Sequence, residues 1–425
     1  IHHVMARTIK DAFCRYKTLK GYNVKRKDGW DTHGLPVELG VEKELGISKD
    51  DIGDKISISE YNKACKKAVM KYTSDWELLT QSMGYWIDLS DPYVTYKSKY
   101  METVWWLIKN IFEKNLLYKG YTVQPYSPAA GSGLSSHELN QPGAYRGISD
   151  TSVIAQFKCI NDSKSDKFGG MFPFYFLAWT TTPWTLPSNT ALTLGEKIEY
   201  SFVKTFNQYT KEKITVVLAT SLIKKVFSKN FFNVEDENDL DIFKVSDSKI
   251  PYYITSSFKG VDFENLKYER IWDEAPLPIE NPENAFRVIL GDFVTTEDGT
   301  GIVHTAPTFG ADDYKAAKSA KPEVPPLLVL DKNGNKVPLV DLKGKFIDDI
   351  GMISGKYVKN EYYKEDKIPE KSVDVEIAIK LKEKNLAFKV EKYSHSYPHC
   401  WRTDKPVLYY PMESWFIKVS DLSER

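Results

Sequence analysis

Cysteine is scarce in this chain, with only four residues among 425. Cys14, Cys65, Cys159 and Cys400 lie far apart, and no two of them form a C-x-x-C pair. This spacing argues against a zinc knuckle and against a framework of disulfide bonds. It favours a reducing, intracellular setting.

Long apolar runs and an excess of charge of either sign are also missing. The longest apolar stretch, residues 171–179, has about half the length that a membrane-spanning helix needs. Lysine plus arginine and aspartate plus glutamate both number 58, so any contact with RNA must come from local patches. We find no cleavable leader, and we expect that Ile1 and Arg425 are both internal to a longer protein.

The residues that are abundant indicate a globular protein with large packed surfaces. Hydrophobic residues make up 42% of the chain and charged residues 27%, which is ordinary, whereas 13% aromatic residues is rich. A chain of 425 residues has room for two or three domains.

The first third of the chain alternates helical and strand-like patterns. Apolar residues at helical spacing predict a helix that ends at Gly21, and residues 22–24 predict a short strand before Gly29. Apolar stripes over residues 61–79 and 101–112 predict two more helices with their apolar faces in the core. This alternation favours an α/β layer.

The pattern changes near Thr151 to short β-rich segments separated by turn residues. It predicts a separate β-rich domain, joined to the first through the glycine, serine and proline residues of 129–143. Aromatic residues become frequent again after Tyr393, which predicts a return to the first domain.

Three consecutive threonines, at 180–182, precede a turn that contains Pro183 and Pro187. Each hydroxyl both donates and accepts, so a fixed run of them can hold a water beside an ester carbonyl or bind a ribose. The two prolines predict a stiff loop. On its own the run is equally compatible with a β-edge followed by a turn.

Residues 29–38 place an acid, an imidazole, two glycines and a proline at the end of a predicted strand. Ligands bind at that position in open α/β sheets, and Asp31 can take a substrate ammonium there. Taken alone, Asp31, Thr32 and His33 are slightly better explained by a helix N-cap beside a surface histidine.

Residues 299–313 predict a short strand that delivers His304, followed by a turn that brings Asp313 back toward it. A lone histidine beside a strand is more often a core or surface residue. No serine or cysteine stands in a nucleophile elbow, so a positioned water is the expected attacker if this segment serves hydrolysis.

Four segments, in this order, resemble the isoleucyl-tRNA synthetases, a class I family: residues 25–38, 180–189, 299–314 and 394–402. The resemblance covers essentially the whole chain. It implies an α/β fold in which a Rossmann-type catalytic domain is interrupted by a β-rich α+β editing domain, connective peptide 1.

The domain boundaries follow from this resemblance together with the changes in composition. Residues 1–148 form the first part of the catalytic domain, residues 149–390 form the inserted editing domain, and residues 391–425 return to a truncated catalytic domain.

The resemblance also implies roles for single residues of the editing domain. His304 limits the size of the side chain that enters, and Asp313 holds the α-ammonium. The implied catalytic residues are Thr180, Thr181, Thr182 and Asp313, and the implied substrate-binding residues are Trp184, His304 and Asp313.

In the catalytic domain the resemblance assigns Asp31 and Trp415 to isoleucine and His3 to the ATP phosphates. His3 matches the second histidine of the first ATP signature of class I, with Ile1 and His2 as its middle, although the family has glycine in place of His2. The chain has no Lys-Met-Ser-Lys-Ser loop, the second ATP signature. We therefore expect the fragment alone to lack full ligase activity.

The implied reaction is ATP-dependent activation of isoleucine and its transfer to the 3′ terminal adenosine of tRNA(Ile), with hydrolysis of mischarged Val-tRNA. A second site is needed because one methylene gives a hydrophobic pocket only about 1 to 3 kcal/mol of discrimination, a limit for which isoleucyl-tRNA synthetase is the standard example. Mg²⁺ would arrive bound to ATP, with no dedicated metal site. We expect a cytoplasmic monomer with no membrane partner.

Three alternatives remain. A valyl-tRNA synthetase usually carries lysine in place of His304 and a Pro-Ala-His-Asp run where this chain has residues 306–310. A free-standing hydrolase of mischarged tRNA would need no ATP site, and the segments around Asp31 and Trp415 argue against it. Nothing specific favours a non-catalytic RNA-binding module.

Overall fold

The computed structural model describes residues 2–422, so Ile1 and Arg425 lie outside the described part of the chain. The chain divides into two compact units. One contains the residues up to Gly120 together with those from Trp415 onward, and the other contains residues 121–414.

The first unit is mainly helical with a small parallel sheet. Its elements are α1 (His2–Leu19), β1 (Lys27–Trp30), α2 (Leu35–Leu45), α3 (Ile58–Val69), α4 (Thr73–Ser82), β2 (Asp88–Val94) and α5 (Ser98–Glu113). Strands β1 and β2 pair in parallel, with Trp30 opposite Val94. A β-carbon at Gly29 would lie 2.1 Å from the Tyr93 ring, so only glycine allows the two strands to approach this closely.

The predicted helix before Gly21 is confirmed, whereas the predicted strand at 22–24 is wrong because the chain pairs with β2 only from Lys27 onward. The stripe over residues 61–79 forms two helices, α3 and α4, rather than one.

Helix α5 forms as predicted, but its predicted core packing is wrong. The structure describes all of α5, and none of its residues is buried; the Trp105 side chain is 70% exposed. Apolar spacing determines which residues share a face, whereas the neighbouring elements decide whether that face is covered.

The strands and short helices that follow α5 build most of the second unit. The elements are β3 (Leu117–Ser127), β4 (Ser132–Gly133), α6 (Ser136–Leu139), β5 (Tyr145–Lys158), β6 (Phe174–Thr180), β7 (Ala191–Leu194), β8 (Glu199–Phe206), β9 (Lys213–Ala219), α7 (Ile223–Val226), β10 (Phe231–Asn233), β11 (Ile250–Lys259), β12 (Arg287–Leu290), β13 (Ile302–Thr305), α8 (Ala311–Ser319), β14 (Leu328–Leu330), β15 (Lys336–Pro338), α9 (Val373–Glu383), β16 (Ala387–Pro398) and β17 (Leu408–Ile417).

A ten-stranded mixed sheet dominates this unit. Eight strands follow the order β10-β11-β8-β9-β6-β13-β7-β12, while β5 pairs with β6 and β16 pairs with β5. Phenylalanines fill the core beside it: the rings of Phe168 and Phe263 stack 4.8 Å apart, and Phe174 meets Phe202 edge-on at 5.0 Å. Each buried phenylalanine contributes about 1.5 to 3 kcal/mol through the hydrophobic effect.

The compact units divide at different residues from the predicted domain boundaries. The boundaries predicted at 148/149 and 390/391 fall inside β5 and β16, which pair antiparallel from Ala387 opposite Ala155 to Pro398 opposite Tyr145. The amino-acid composition changes within these two strands, but the strands stay paired across both predicted boundaries. The change in composition therefore does not coincide with a gap in the contacts. The predicted boundaries stay a prediction about domain organisation.

Strand pairing brings the two predicted editing segments together. β13 lies beside β6, with Val303 opposite Trp179, and it pairs antiparallel with β7, where His304 faces Leu192. The end of β6 and the histidine of β13 are therefore neighbours, although about 120 residues separate them in the chain.

Candidate active site

A cavity of about 300 Å³ opens where β6 and β13 end and α8 begins. It is lined by Trp179, Thr180, Thr181, Thr182, Thr185, Val303, His304, Ala306, Phe309 and Asp313. Five of the six residues predicted from the editing segments therefore share one cavity. The sixth, Trp184, is buried outside the lining, with its ring 5.0 Å from that of Phe309.

The threonine loop, which we define as residues 180–188, is held by its own hydroxyls. The amide of Thr182 donates to Oγ1 of Thr180 at 3.1 Å, and the two Oγ1 atoms lie 3.3 Å apart. Oγ1 and the amide of Thr185 both donate to the Thr182 carbonyl, at 2.8 and 3.0 Å. A 3₁₀ turn, Pro183–Ser188, then continues the loop. The loop presents hydroxyls to the cavity from a backbone with little freedom to move.

The hydrogen bonds of His304 define its tautomer. One amide atom of Asn189 lies 2.8 Å from the Ala191 carbonyl, so that atom is Nδ2, a donor. The same Nδ2 lies 2.8 Å from Nδ1 of His304, which must therefore accept. The proton of the ring then sits on Nε2 and is donated to Oγ1 of Thr185 at 3.0 Å. The hydroxyl of Tyr268 completes the network by donating to Oδ1 of Asn189 at 2.7 Å.

Burial lowers the pKa of His304 to about 3, and the side chain is only 6% exposed. The imidazole is therefore neutral at physiological pH. Both ring nitrogens are engaged with the protein. His304 thus acts as a fixed wall of the cavity and is poorly suited to accept a proton from water.

Asp313 is the acid of the cavity. It lies in the first turn of α8, and its Oδ2 accepts a hydrogen bond from the Ala306 amide at 2.8 Å. Burial raises its pKa to about 7; the Ala306 hydrogen bond lowers it and the charge of Asp312 raises it further. A cationic group that enters the cavity would favour the ionised carboxylate.

Gly310, the residue before α8, makes room for this acid. A β-carbon at Gly310 would lie 2.6 Å from Cγ of Asp313, so any other residue would displace the carboxyl group. The glycine in the predicted turn is therefore needed for a close approach.

Three residues that support the site were not predicted as site residues: Thr185, Asn189 and Tyr268. Thr185 and Asn189 stand in or directly after the threonine loop, so their position in the sequence offered a signal. Tyr268 lies 79 residues beyond Asn189, and no local pattern points to it.

The three candidate residues of the first unit are exposed. Asp31 follows β1 and is exposed, Trp415 is 63% exposed, and the exposed His3 packs edge-on against Trp76 at 5.7 Å. The His2 ring is tilted against the His3 ring, with ring centroids 4.1 Å apart. The roles of these residues stay predictions.

The loop that carries Asp31 nevertheless lies at the end of a strand, as the sequence predicts. The Thr32 amide donates to Oγ1 of Thr95 at 2.9 Å, and Nδ1 of His33 lies 3.0 Å from the same hydroxyl. Thr95 directly follows β2, so the loop sits at the carboxyl ends of two parallel strands. The N-cap interpretation is wrong, since the cap of α2 is Gly34 and no side chain caps it.

All 425 residues match the family model described as class I tRNA synthetases of the I, L, M and V group. The chain belongs to this family. Among curated relatives, isoleucine–tRNA ligases match over 100% of this chain: those of Cytophaga hutchinsonii at 56% identity, Bacteroides fragilis at 55% and Clostridium tetani at 40%. The chain spans 38%, 38% and 35% of their respective lengths.

A comparison with solved structures gives a distant match. The P. knowlesi cytosolic leucyl-tRNA synthetase editing domain is 13% identical, with a TM-score of 0.28 over 41% of this chain and 64% of that chain.

In the described part of the chain, no group of three or more histidine, cysteine, aspartate or glutamate residues is arranged to hold a metal ion. Between residues 2 and 422, no helix combines the length and the apolar character that crossing a membrane requires.

Proposed function

We propose that the full-length protein containing this chain is an isoleucine–tRNA ligase that hydrolyses mischarged Val-tRNA in the cavity of the second unit. The observation that carries the proposal is the cavity itself, where three threonines, a neutral histidine and an acid with a raised pKa meet. The relatives named isoleucine–tRNA ligase support the choice of amino acid and do not favour the valyl alternative.

The cavity suits a small aminoacyl ester. Asp313 would hold the α-ammonium, and its affinity for a cation follows from the desolvated carboxyl group. His304 would stop a longer side chain, because its ring is fixed at both nitrogens. The hydroxyls of the threonine loop would hold a water or the terminal ribose near the ester.

Hydrolysis would proceed by attack of water on the ester carbonyl carbon. The bond from that carbon to the terminal ribose oxygen breaks, the ribose oxygen takes up a proton, and valine and tRNA are released. Because His304 stays neutral and fully engaged, we assign it no proton transfer. The rate enhancement would come from alignment of the water with the ester.

Synthesis would use isoleucine, ATP with Mg²⁺ and tRNA(Ile) as substrates. The isoleucine carboxylate would attack the α-phosphate, and the terminal adenosine of the tRNA would then accept the acyl group. We assign the isoleucine ammonium to Asp31, the amino-acid side chain to Trp415 and the ATP phosphates to His3. Support for Asp31 is its loop at the carboxyl ends of β1 and β2. A cytoplasmic, monomeric protein remains part of the proposal.

Two assays on the full-length protein test the proposal. Isoleucine should drive ATP–pyrophosphate exchange more efficiently than valine, and preformed Val-tRNA should be hydrolysed faster than Ile-tRNA. A preference for valine in exchange would favour the valyl alternative, and hydrolysis without any exchange would favour a free-standing hydrolase.

Asp31→Ala is expected to raise the isoleucine KM in exchange about tenfold or more, which corresponds to about 1.4 kcal/mol of lost binding. Hydrolysis of Val-tRNA should be unchanged. The matched control is Asp91→Ala, since Asp91 is an exposed carboxylate paired with Lys27 at 2.6 Å in the same unit. Loss of hydrolysis with intact exchange would show that the two activities are assigned to the wrong units.

The raised pKa of Asp313, about 7, predicts a pH dependence of hydrolysis. Only the ionised carboxylate attracts an ammonium. Below its pKa the carboxylate is mostly protonated, and the attraction is lost. The kcat/KM for Val-tRNA should therefore fall as the pH is lowered from 7 to 5, approaching about tenfold per pH unit. Asp313→Asn should have low activity that depends much less on pH than the wild-type activity does. A wild-type profile that stays level would contradict the assignment.

A further inference from the structure

A buried cluster of charges is joined to the threonine loop by one hydrogen bond. Oδ1 of Asp374, in the first turn of α9, accepts from the Trp184 amide at 2.8 Å. Trp184 is the second residue of the 3₁₀ turn that follows Thr182. The Asp374 side chain is only 5% exposed. Burial of a carboxylate is costly unless the group is paired and hydrogen-bonded.

A single ammonium group serves two carboxylates in this cluster. Nζ of Lys359 lies 2.8 Å from Oδ2 of Asp150 and 4.0 Å from Oδ2 of Asp374. It also lies 4.6 Å from the centre of the Tyr397 ring. Nε2 of His395 completes the cluster, 3.2 Å from Asp150. We call these five residues the charge cluster.

The ammonium keeps Asp374 charged despite its burial. Burial raises the pKa of Asp374 to about 6, and Lys359 is the main group that opposes this rise. Burial also opposes the charge of Lys359, but Tyr397, Asp374 and Asp150 together raise its pKa above the ordinary value. A buried carboxylate that lost this partner would be costly or would take up a proton.

The Trp184 amide is linked to the lining of the cavity on both sides. Thr182, two residues earlier, accepts both bonds from Thr185, and Oγ1 of Thr185 also accepts from His304. The Trp184 ring packs against Phe309, which lines the cavity. A shift of the backbone at Trp184 would therefore move the hydroxyls and the wall together.

We propose that Lys359 and Asp374 are positioning residues for hydrolysis: Lys359 keeps Asp374 ionised, and Asp374 anchors the threonine loop at the Trp184 amide. The inference rests on the proposed hydrolytic function of the cavity. It adds two residues, 359 and 374, that lie far outside the segments on which the site was predicted. A charged acceptor suits this anchor because hydrogen bonds to ionised groups are about twice as strong as neutral ones.

The test compares Lys359→Met, Asp374→Asn and the double variant in the full-length protein. Lys359→Met should lower kcat for Val-tRNA hydrolysis at pH 7 about tenfold or more with little change in KM. The lost activity should return as the pH is raised, because Asp374 then ionises without its ammonium partner. Asp374→Asn offers the Trp184 amide only a neutral acceptor, so it should lose about as much activity at pH 7 as Lys359→Met and should not recover at higher pH.

The double variant distinguishes electrostatic coupling between Lys359 and Asp374 from a general disturbance of the fold. Once Asp374 is replaced by asparagine, Lys359 has no carboxylate there to keep ionised, so the double variant should hydrolyse Val-tRNA about as fast as Asp374→Asn and should not recover as the pH is raised. The remaining groups near Asp374 are Asp150 on β5 and Lys392 on β16, with His395 and Tyr397 beyond them, and they are unchanged in every variant. Lys213→Met is the matched control, since Lys213 pairs with Asp241 at 3.0 Å on the surface.

Wild-type hydrolysis by Lys359→Met, or a double variant that regains activity as the pH is raised, would overturn the inference. If Lys359→Met fails to fold, a double variant that folds and hydrolyses Val-tRNA about as fast as Asp374→Asn supports it, and one that does not fold either overturns it. Absence of Val-tRNA hydrolysis in the unmodified protein would instead refute the proposed function. Isoleucine-dependent exchange, measured in parallel, shows that each variant is intact elsewhere.

Discussion

Asp313→Ala should reduce kcat/KM for Val-tRNA hydrolysis about 100-fold or more. The substitution removes the one acid among the described residues that line the cavity, and the substrate ammonium loses its anchor. Without that anchor the ester is no longer aligned with the water near the threonine loop, and misplacement of about 1 Å can cost about 100-fold in rate. The Ala306 amide also loses its acceptor. Deacylation of preformed Val-tRNA measures the effect.

Two matched variants separate the charge of Asp313 from its structural role. Asp313→Asn retains an acceptor for the Ala306 amide but cannot attract a cation, so it should be nearly as inactive as the alanine variant. Asp312→Ala changes the neighbouring acid of the same helical turn, which is exposed and lies 3.2 Å from Lys315. It should hydrolyse Val-tRNA normally. Full activity of Asp313→Asn would show that the carboxylate charge is not needed.

His304→Ala should make the enzyme hydrolyse correctly charged Ile-tRNA. The imidazole is fixed between Thr185 and Asn189, and its removal opens space where the additional methylene of isoleucine would otherwise meet the ring. Discrimination of one methylene is worth about 10- to 200-fold, so Ile-tRNA hydrolysis should rise by a factor in that range. Val-tRNA hydrolysis should fall much less than it does in Asp313→Ala, because Asp313 and the threonine loop remain.

The variant also removes one hydrogen bond from each of two buried groups, Oγ1 of Thr185 and Nδ2 of Asn189, which we expect to lower the free energy of unfolding by about 1 to 3 kcal/mol. Thermal unfolding should therefore be recorded with the deacylation assay. His137→Ala, at an exposed histidine of the same unit, is the control for both measurements. If His304→Ala spares Ile-tRNA and loses Val-tRNA hydrolysis, His304 has a catalytic or structural role and does not limit substrate size.

The segments that line the cavity carry local signals, and the resemblance to the isoleucyl-tRNA synthetases is what assigned them to one editing site. Two prolines after three threonines predict a stiff loop of hydroxyls, and a strand followed by a turn with glycine predicts that His304 and Asp313 come near each other. The structure brings the three threonines, His304 and Asp313 into the lining of one cavity, whereas Trp184 lies outside the lining. Their roles in hydrolysis remain for the experiments above to test.

Other properties of the site depended on the tertiary structure. The neutral state and tautomer of His304 come from burial and from a network that reaches Tyr268, and the Trp184 amide is anchored by Asp374, 190 residues away. Likewise, the apolar spacing over residues 101–112 predicted α5 but not that its apolar face is exposed. The sequence alone determined the local conformations and the side chains that each segment can present. Only the folded sheet decided which of them are desolvated and paired, because burial and hydrogen bonding depend on partners that are distant in sequence.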